Sequence, residues 1–210
     1  MKHNDKIFIT GLPRTGTTSI CAALLEHDFS VAHTAYTSLA MEQAQVIADT
    51  PIFCDFETLA EQYPDAKFIH LTRDLSLWLP SIKQLLNRMY RNVTRTDGGF
   101  NPTLKRCYQT VFSPLTQENI NDDSFLTKIY QKHLASVEKY FEHSPERLLK
   151  INVADADSYQ KMLTFLALNC DEAVSTTVTN KQFEKINVGG KITYWNSIKH
   201  PRKIDANLKR

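Results

Sequence analysis

Two glycines, an arginine and a run of hydroxyl side chains are the residues of this chain best placed to do chemistry. In "FITGLPRTGTTSICAALL", residues 8–25, Gly11 and Gly16 bracket a turn carrying Pro13, Arg14 and Thr15, and Thr17, Thr18 and Ser19 follow. Glycine at both ends permits backbone angles and approaches that a Cβ would forbid, so successive N–H groups can point at one centre. A helix opening at Thr17 would add its unpaired N–H groups and the positive end of its dipole. This is the chemistry of an anion cradle. An ATP-binding loop would end in Gly-Lys-Ser/Thr, its lysine reaching the outer phosphates and its hydroxyl binding magnesium. Here Thr17 stands in the lysine's place, and the cation has moved inside the loop to Arg14.

A second cation, Arg73, follows the apolar segment "KFIHLT", and Ser81 comes about two helical turns later. A positive charge at a strand end suits a second phosphate better than a divalent cation, so two anion sites and no metal are expected. An attacking hydroxyl would need a base within hydrogen-bond reach. Asp49 in "IADTP" and His33 in "VAHTA" are the candidates. Each also has a plain structural reading: an Asx-type cap before Pro51 for Asp49, and a core or rim histidine satisfied by backbone for His33. Arg73 and Asp74 taken alone would read as a surface ion pair. His70, inside an apolar strand, and His133, at helical spacing with Ile129 and Val137, read as interior residues. Trp78 reads as core, whereas Trp195 offers a face on which a base could stack.

The elements that must position these groups are legible from hydrophobic periodicity. A buried strand is expected at Lys6 to Thr10 and a helix from about Thr17 to Glu26. An extended "FSVAHT" comes next, then helical "SLAMEQAQVI", then a helix over "IFCDFETLAEQY" ending before Pro64. After the strand Lys67 to Thr72, the residues Trp78, Ile82, Leu85, Leu86 and Met89 mark a helix in which Pro80 belongs to the first turn. The polar, glycine-broken stretch from about 91 to 123 reads as an excursion that could serve as an acceptor-side lid. An amphipathic helix over "FLTKIYQKHLASVEKYF", a strand over "RLLKINV", a helix over "YQKMLTFLAL" and an irregular tail complete the chain. Strands alternating with helices imply one α/β domain with a parallel sheet covered on both faces.

These motifs resemble the sulfotransferases that use 3′-phosphoadenosine-5′-phosphosulfate (PAPS). Their 5′-phosphosulfate loop reads approximately Pro-Lys-Ser/Thr-Gly-Thr-Thr, and "PRTGTTS" is similar to it with Arg14 for lysine. "RDLSLWLPS" supplies the arginine and serine of their 3′-phosphate motif, and "YPDAKFIHLTRD" resembles the strand segment that leads into it. "ADTP" and "FEKINVGGK" resemble segments of one bacterial and eukaryotic branch. The resemblance implies a P-loop kinase-like fold, with PAPS as donor and adenosine 3′,5′-bisphosphate as product. It implies that Pro13, Arg14, Thr15, Gly16, Thr17, Thr18 and Ser19 hold the 5′-phosphosulfate, and Arg73 and Ser81 the 3′-phosphate. Lys185 and Lys191 would close over the nucleotide, and Asp49 or His33 would act as base. A small-molecule or carbohydrate hydroxyl, or an amine, would be the acceptor.

Composition bounds the rest. With 210 residues, 42% apolar and 23% charged, and a formal charge of +2, the chain lacks the basic excess that binding along a nucleic-acid backbone requires. Its N-terminal apolar run is too short for a signal peptide or a membrane anchor, so a cytoplasmic protein is expected. Cys21, Cys54, Cys107 and Cys170 form no CxxC pair or metal-type spacing, which suits free thiols in a reducing compartment. No heptad announces an oligomer. Two rival readings share the loop: a metal-dependent small-molecule kinase, and a nucleotide-binding protein without turnover.

Overall fold

The computed structural model describes residues 6–168, 182–183, 187–188, 191–192 and 195–209. Cys170 and Lys185 lie outside the described residues; Lys191 is described for its backbone alone. Alternation along the first strand sets the layers: in β1 (Ile7–Ile9), Ile7 and Ile9 face one side of the sheet and Phe8 the other. On the first side they meet α1 (Thr17–Glu26) and α8 (Ser158–Phe165) through Ile20, Leu24, Met162 and Leu163. On the second, Phe8 and Phe68 pack with α3 (Ile52–Gln62) and α7 (Asp123–Tyr140), through Phe56, Val137 and Phe141.

The sheet has the order β2 (Val31–Ala32), β3 (Val46–Ile47), β1, β4 (Lys67–Leu71), β5 (Leu148–Ile151), and every pairing is parallel. Five parallel strands with helices on both faces form the α/β, P-loop kinase-like fold that the resemblance implies. The central position of β1 places its C-terminal end, where the loop begins, beside the end of β4, where Arg73 follows.

Two local expectations are corrected. The helix expected across "SLAMEQAQVI" stops at Gln43: Thr37 caps α2 (Ser38–Gln43), and Val46 and Ile47 are fully buried as a strand instead. Their backbone pairs with β1 on one side and β2 on the other, and their β-branched side chains enter the cores on opposite faces, so tertiary pairing overrides helical continuity. Pro80 sits in the second turn of α4 (Leu75–Thr94), because Asp74 caps that helix through Ser76 and starts it one turn before Trp78. Pro80 is exposed there, so solvent can reach the carbonyl left without an amide partner. The irregular tail is fastened to the sheet. Ile204 N–H donates to Val31 O at 2.9 Å and Tyr36 N–H to Ala206 O at 2.8 Å, binding the tail to the β2 edge.

Within residues 91–123, α5 (Pro102–Val111) and α6 (Gln117–Asn121) pack on α3 and α4. They help to enclose a third apolar cluster beyond the end of the sheet, around Trp78, Phe53, Tyr108 and Phe112. The remaining strands, β6 (Asn187–Val188) and β7 (Lys191–Ile192), form a separate antiparallel pair. Among the described residues no helix is long and apolar enough to cross a membrane.

Candidate active site

The turn between β1 and α1 is shaped by close approach. A Cβ on Gly11 would lie 2.6 Å from Leu71 Cβ and 2.5 Å from Thr15 Oγ1; one on Gly16 would lie 2.5 Å from Val153 Cγ2. Gly16 also adopts φ 109°, and Arg14 adopts φ 74°, a left-handed angle that costs a residue with a Cβ free energy. Thr15 fastens the turn by donating its hydroxyl to Leu12 O at 2.7 Å, and Trp78 Nε1 donates to Pro13 O at 2.9 Å from across the third cluster. Gly16 caps α1 without a side chain. Among the described residues the N–H groups of Gly16, Thr17 and Thr18 donate to no carbonyl, leaving the helix end open to an anion.

The two cationic motifs meet. Arg14 Nε donates to Ser81 Oγ at 2.8 Å, and Arg73 Nη1 donates to Arg14 O at 2.8 Å. Tyr130 fixes the Arg73 backbone from α7: its hydroxyl accepts from Arg73 N–H at 2.8 Å and donates to Arg73 O at 2.9 Å. Asp74 is occupied as the cap of α4, not as an ion partner of Arg73. Arg88, seven residues beyond Ser81 on one face of α4, adds a third guanidinium. Burial, with Arg73 and Arg88 nearby, pushes the Arg14 guanidinium down from its ordinary value. Cations gathered this way, with the uncapped N–H groups beside them, fit a ligand carrying two phosphates.

Asp49 and His33 face this cluster from the ends of β3 and β2. Asp49 has φ 48°, a second left-handed residue in the site, and its Oδ1 accepts from Thr50 Oγ1 at 3.2 Å. Its carboxyl is pushed above the usual carboxylate range by burial, against the pull of His33, Thr50 and Arg14. His33 is pushed down by burial, against the pull of Asp49. Both side chains are largely buried and keep only a small accessible surface. His33 Nε2 and Thr18 Oγ1 are hydrogen-bonded at 3.2 Å, and the His33 ring lies 5.4 Å from that of Trp195. Lys203 Nζ lies over the Trp195 ring, 4.8 Å from its centroid, which leaves less of the ring open to a base.

The fold thus gathers Arg14, Thr18, His33, Asp49, Arg73 and Ser81 at one end of the sheet. Tyr36 and Tyr108 also lie close enough to sense Asp49; of these the sequence offered Tyr108 only as one of several aromatics that could line an acceptor pocket, and Tyr36 not at all. Burial pushes the Tyr36 hydroxyl up to about 12, and that of Tyr108 well above its ordinary value, and Asp49 reinforces both shifts. Arg88 and Tyr130 carried no signal at all, since their roles depend on a helix register and on a partner 57 residues away.

The sulfotransferase domain family model matches residues 34–191. No curated protein matches the chain. The matched stretch holds Asp49, Arg73 and Ser81 and begins after the loop that carries Arg14. As that stretch is well over half of the sequence, and the sheet has the expected parallel order, the chain belongs to the sulfotransferase domain family and its chemistry is sulfuryl transfer.

Proposed function

We propose that this sulfotransferase takes its sulfuryl group from PAPS and passes it, by in-line displacement, to a hydroxyl or amine of a small molecule or carbohydrate. One observation carries the donor assignment: Arg14, Ser81 and Arg73 are joined by hydrogen bonds at the mouth of an open helix N-terminus. A donor with phosphates at both its 5′ and 3′ positions needs two such sites side by side.

When bound, PAPS supplies the sulfuryl group and a phosphate as its leaving group. Arg14, with the N–H groups of Gly16, Thr17 and Thr18, binds that 5′-phosphate and stabilises the charge that grows on the departing oxygen. Pro13, Thr15 and Ser19 hold the turn and its helix in place. Ser81 Oγ accepts from Arg14 and keeps its own proton for the 3′-phosphate, which Arg73 meets with the free part of its planar fork. By the same resemblance, Lys185 and Lys191 would close over that phosphate.

Asp49 receives the proton of the attacking group. A carboxylate whose hold on a proton is raised by burial is a stronger base than one in water, whereas burial weakens His33 as a base. His33 then has the lesser part of orienting Thr18. Cytoplasmic PAPS would supply the donor. The test is acceptor-dependent release of adenosine 3′,5′-bisphosphate from PAPS, assayed over a panel of phenols, aliphatic alcohols, sugars and amines. Sulfated product from any of these supports the reading. Transfer from another sulfate donor with none from PAPS would overturn it.

A further inference from the structure

The fold brings together two cysteines that spacing alone kept apart. Cys54 lies in the first turn of α3 and Cys107 in α5, two helices that pack against each other. Their sulfur atoms and an Asp55 carboxylate oxygen lie within 4.8 Å of one another. Cys107 is fully buried, whereas Cys54 keeps part of its surface open. Arg106, the neighbour of Cys107, closes the group: its Nη1 stands 3.6 Å from Cys54 Sγ, and its fork donates to both oxygens of Asp55 at 2.8 and 2.5 Å.

We propose that Cys54 and Cys107 form a peroxide-responsive dithiol, a modification site that closes into a disulfide between α3 and α5. Oxidation of this kind needs a reachable nucleophilic thiolate beside a second thiol that resolves it. The neighbouring Cys107 thiol, with Arg106 adding to the effect, holds Cys54 below the usual thiol range, whereas the Cys54 sulfur and burial push Cys107 up. Cys54 is therefore the nucleophile and Cys107 keeps its proton.

The step balances with hydrogen peroxide as oxidant. Cys54 thiolate attacks one peroxide oxygen, the O–O bond breaks, and hydroxide leaves with the electron pair, giving a sulfenic acid. Cys107 sulfur then attacks the Cys54 sulfur, its proton joins the departing hydroxyl, and water leaves. Two thiols and one peroxide thus yield one disulfide and two waters. The sulfurs must close to about 2.05 Å. The backbone gives a place for that movement, because Asp55 departs from helical angles at φ −110° and ψ 17°, directly after Cys54. The closed bond ties the helix that follows Asp49 to the one that carries Tyr108.

A metal is the other ligand that two thiols and a carboxylate could suit. Arg106 argues against it, since a guanidinium already occupies both Asp55 oxygens and stands beside the Cys54 sulfur.

The experiment uses the full chain, reduced, desalted and treated with hydrogen peroxide, then denatured, alkylated and mapped by mass spectrometry. The expected result is loss of two alkylatable thiols, a linked Cys54–Cys107 peptide, and full recovery with dithiothreitol. In Cys107→Ser, dimedone should trap a sulfenic acid at Cys54; in Cys54→Ser, Cys107 should stay reduced. Unreacted thiols, or a wild-type Cys54 driven to sulfinic acid while Cys107 stays free, would overturn the proposal. So would one equivalent of zinc in the purified chain that Cys54→Ser releases. None of these readouts requires sulfuryl transfer.

Discussion

Arg73 Nη1 donates to the main-chain oxygen of Arg14 at 2.8 Å, so the arginine after β4 supports the backbone of the loop after β1. One group thus serves two tasks: it holds the turn and offers the rest of its fork to a ligand. The left-handed angle of Arg14 is stabilised in part by this contact, and the Arg14 side chain is free to reach Ser81.

Removal of that guanidinium separates the two phosphates. Arg73→Ala should weaken adenosine 3′,5′-bisphosphate by roughly 10- to 100-fold, the scale of one or two hydrogen bonds to a charged group. Binding of 5′-AMP should fall far less. Calorimetry with both nucleotides checks this; equal losses would mean that Arg73 acts by holding the Arg14 loop and not by meeting the 3′-phosphate.

Asp49→Asn should lower turnover by about 10²- to 10⁴-fold, the usual span for a general base, with nucleotide affinity nearly intact. The same change should raise the melting temperature at pH 7. Burial raises the Asp49 carboxyl, so the folded state holds this proton more tightly than the unfolded chain, and stability is lost as pH rises through the folded value. The asparagine variant escapes that loss, and its advantage should vanish well below pH 3.8, where both states are protonated. Unchanged turnover would shift the base to His33.

Gly16→Ala tests the cradle. The new methyl would meet Val153 Cγ2 at 2.5 Å at a residue with φ 109°. Left-handed strain alone costs roughly 1–2 kcal/mol, which in a chain of this size lowers the melting temperature by about 2–8 °C. Bisphosphate affinity should fall as the N–H groups are displaced. An alanine variant with wild-type melting and affinity would contradict the geometry.

Acid should unfold the protein earlier than carboxylate titration alone predicts. His70 and His133 are stacked 5.5 Å apart in the interior, where burial lowers them from 6.5 to about 3 and about 4. His70 Nδ1 pairs with Thr10 Oγ1 at 2.9 Å, and His133 Nε2 donates to Phe53 O at 2.7 Å. Below pH 6.5 the unfolded chain binds protons that these two rings refuse, so stability falls progressively from pH 6.5 toward pH 4. Urea midpoints measured across that range check it; a flat profile down to pH 5 would contradict it.

The sequence exposed what depends on neighbours along the chain. Gly11, Gly16 and the threonines after them mark the loop because glycine freedom and a helix start are local properties. Arg73 and Ser81 were legible because one follows an apolar strand segment and the other comes about two helical turns later. Val46 and Ile47 were not, because a two-residue strand leaves no periodic trace and exists only through its partners in β1 and β2. Nor could spacing show Trp78 reaching Pro13, Tyr130 bridging the Arg73 backbone, or Cys54 meeting Cys107. Each of those contacts joins segments that only the finished packing brings together.

The most direct measurement of the central claim is a calorimetric titration of the purified chain with adenosine 3′,5′-bisphosphate and, separately, with ATP and magnesium. The account predicts tight bisphosphate binding that does not depend on magnesium, with ATP much weaker. A preference for ATP with magnesium would contradict the PAPS assignment and return the loop to nucleoside triphosphate chemistry.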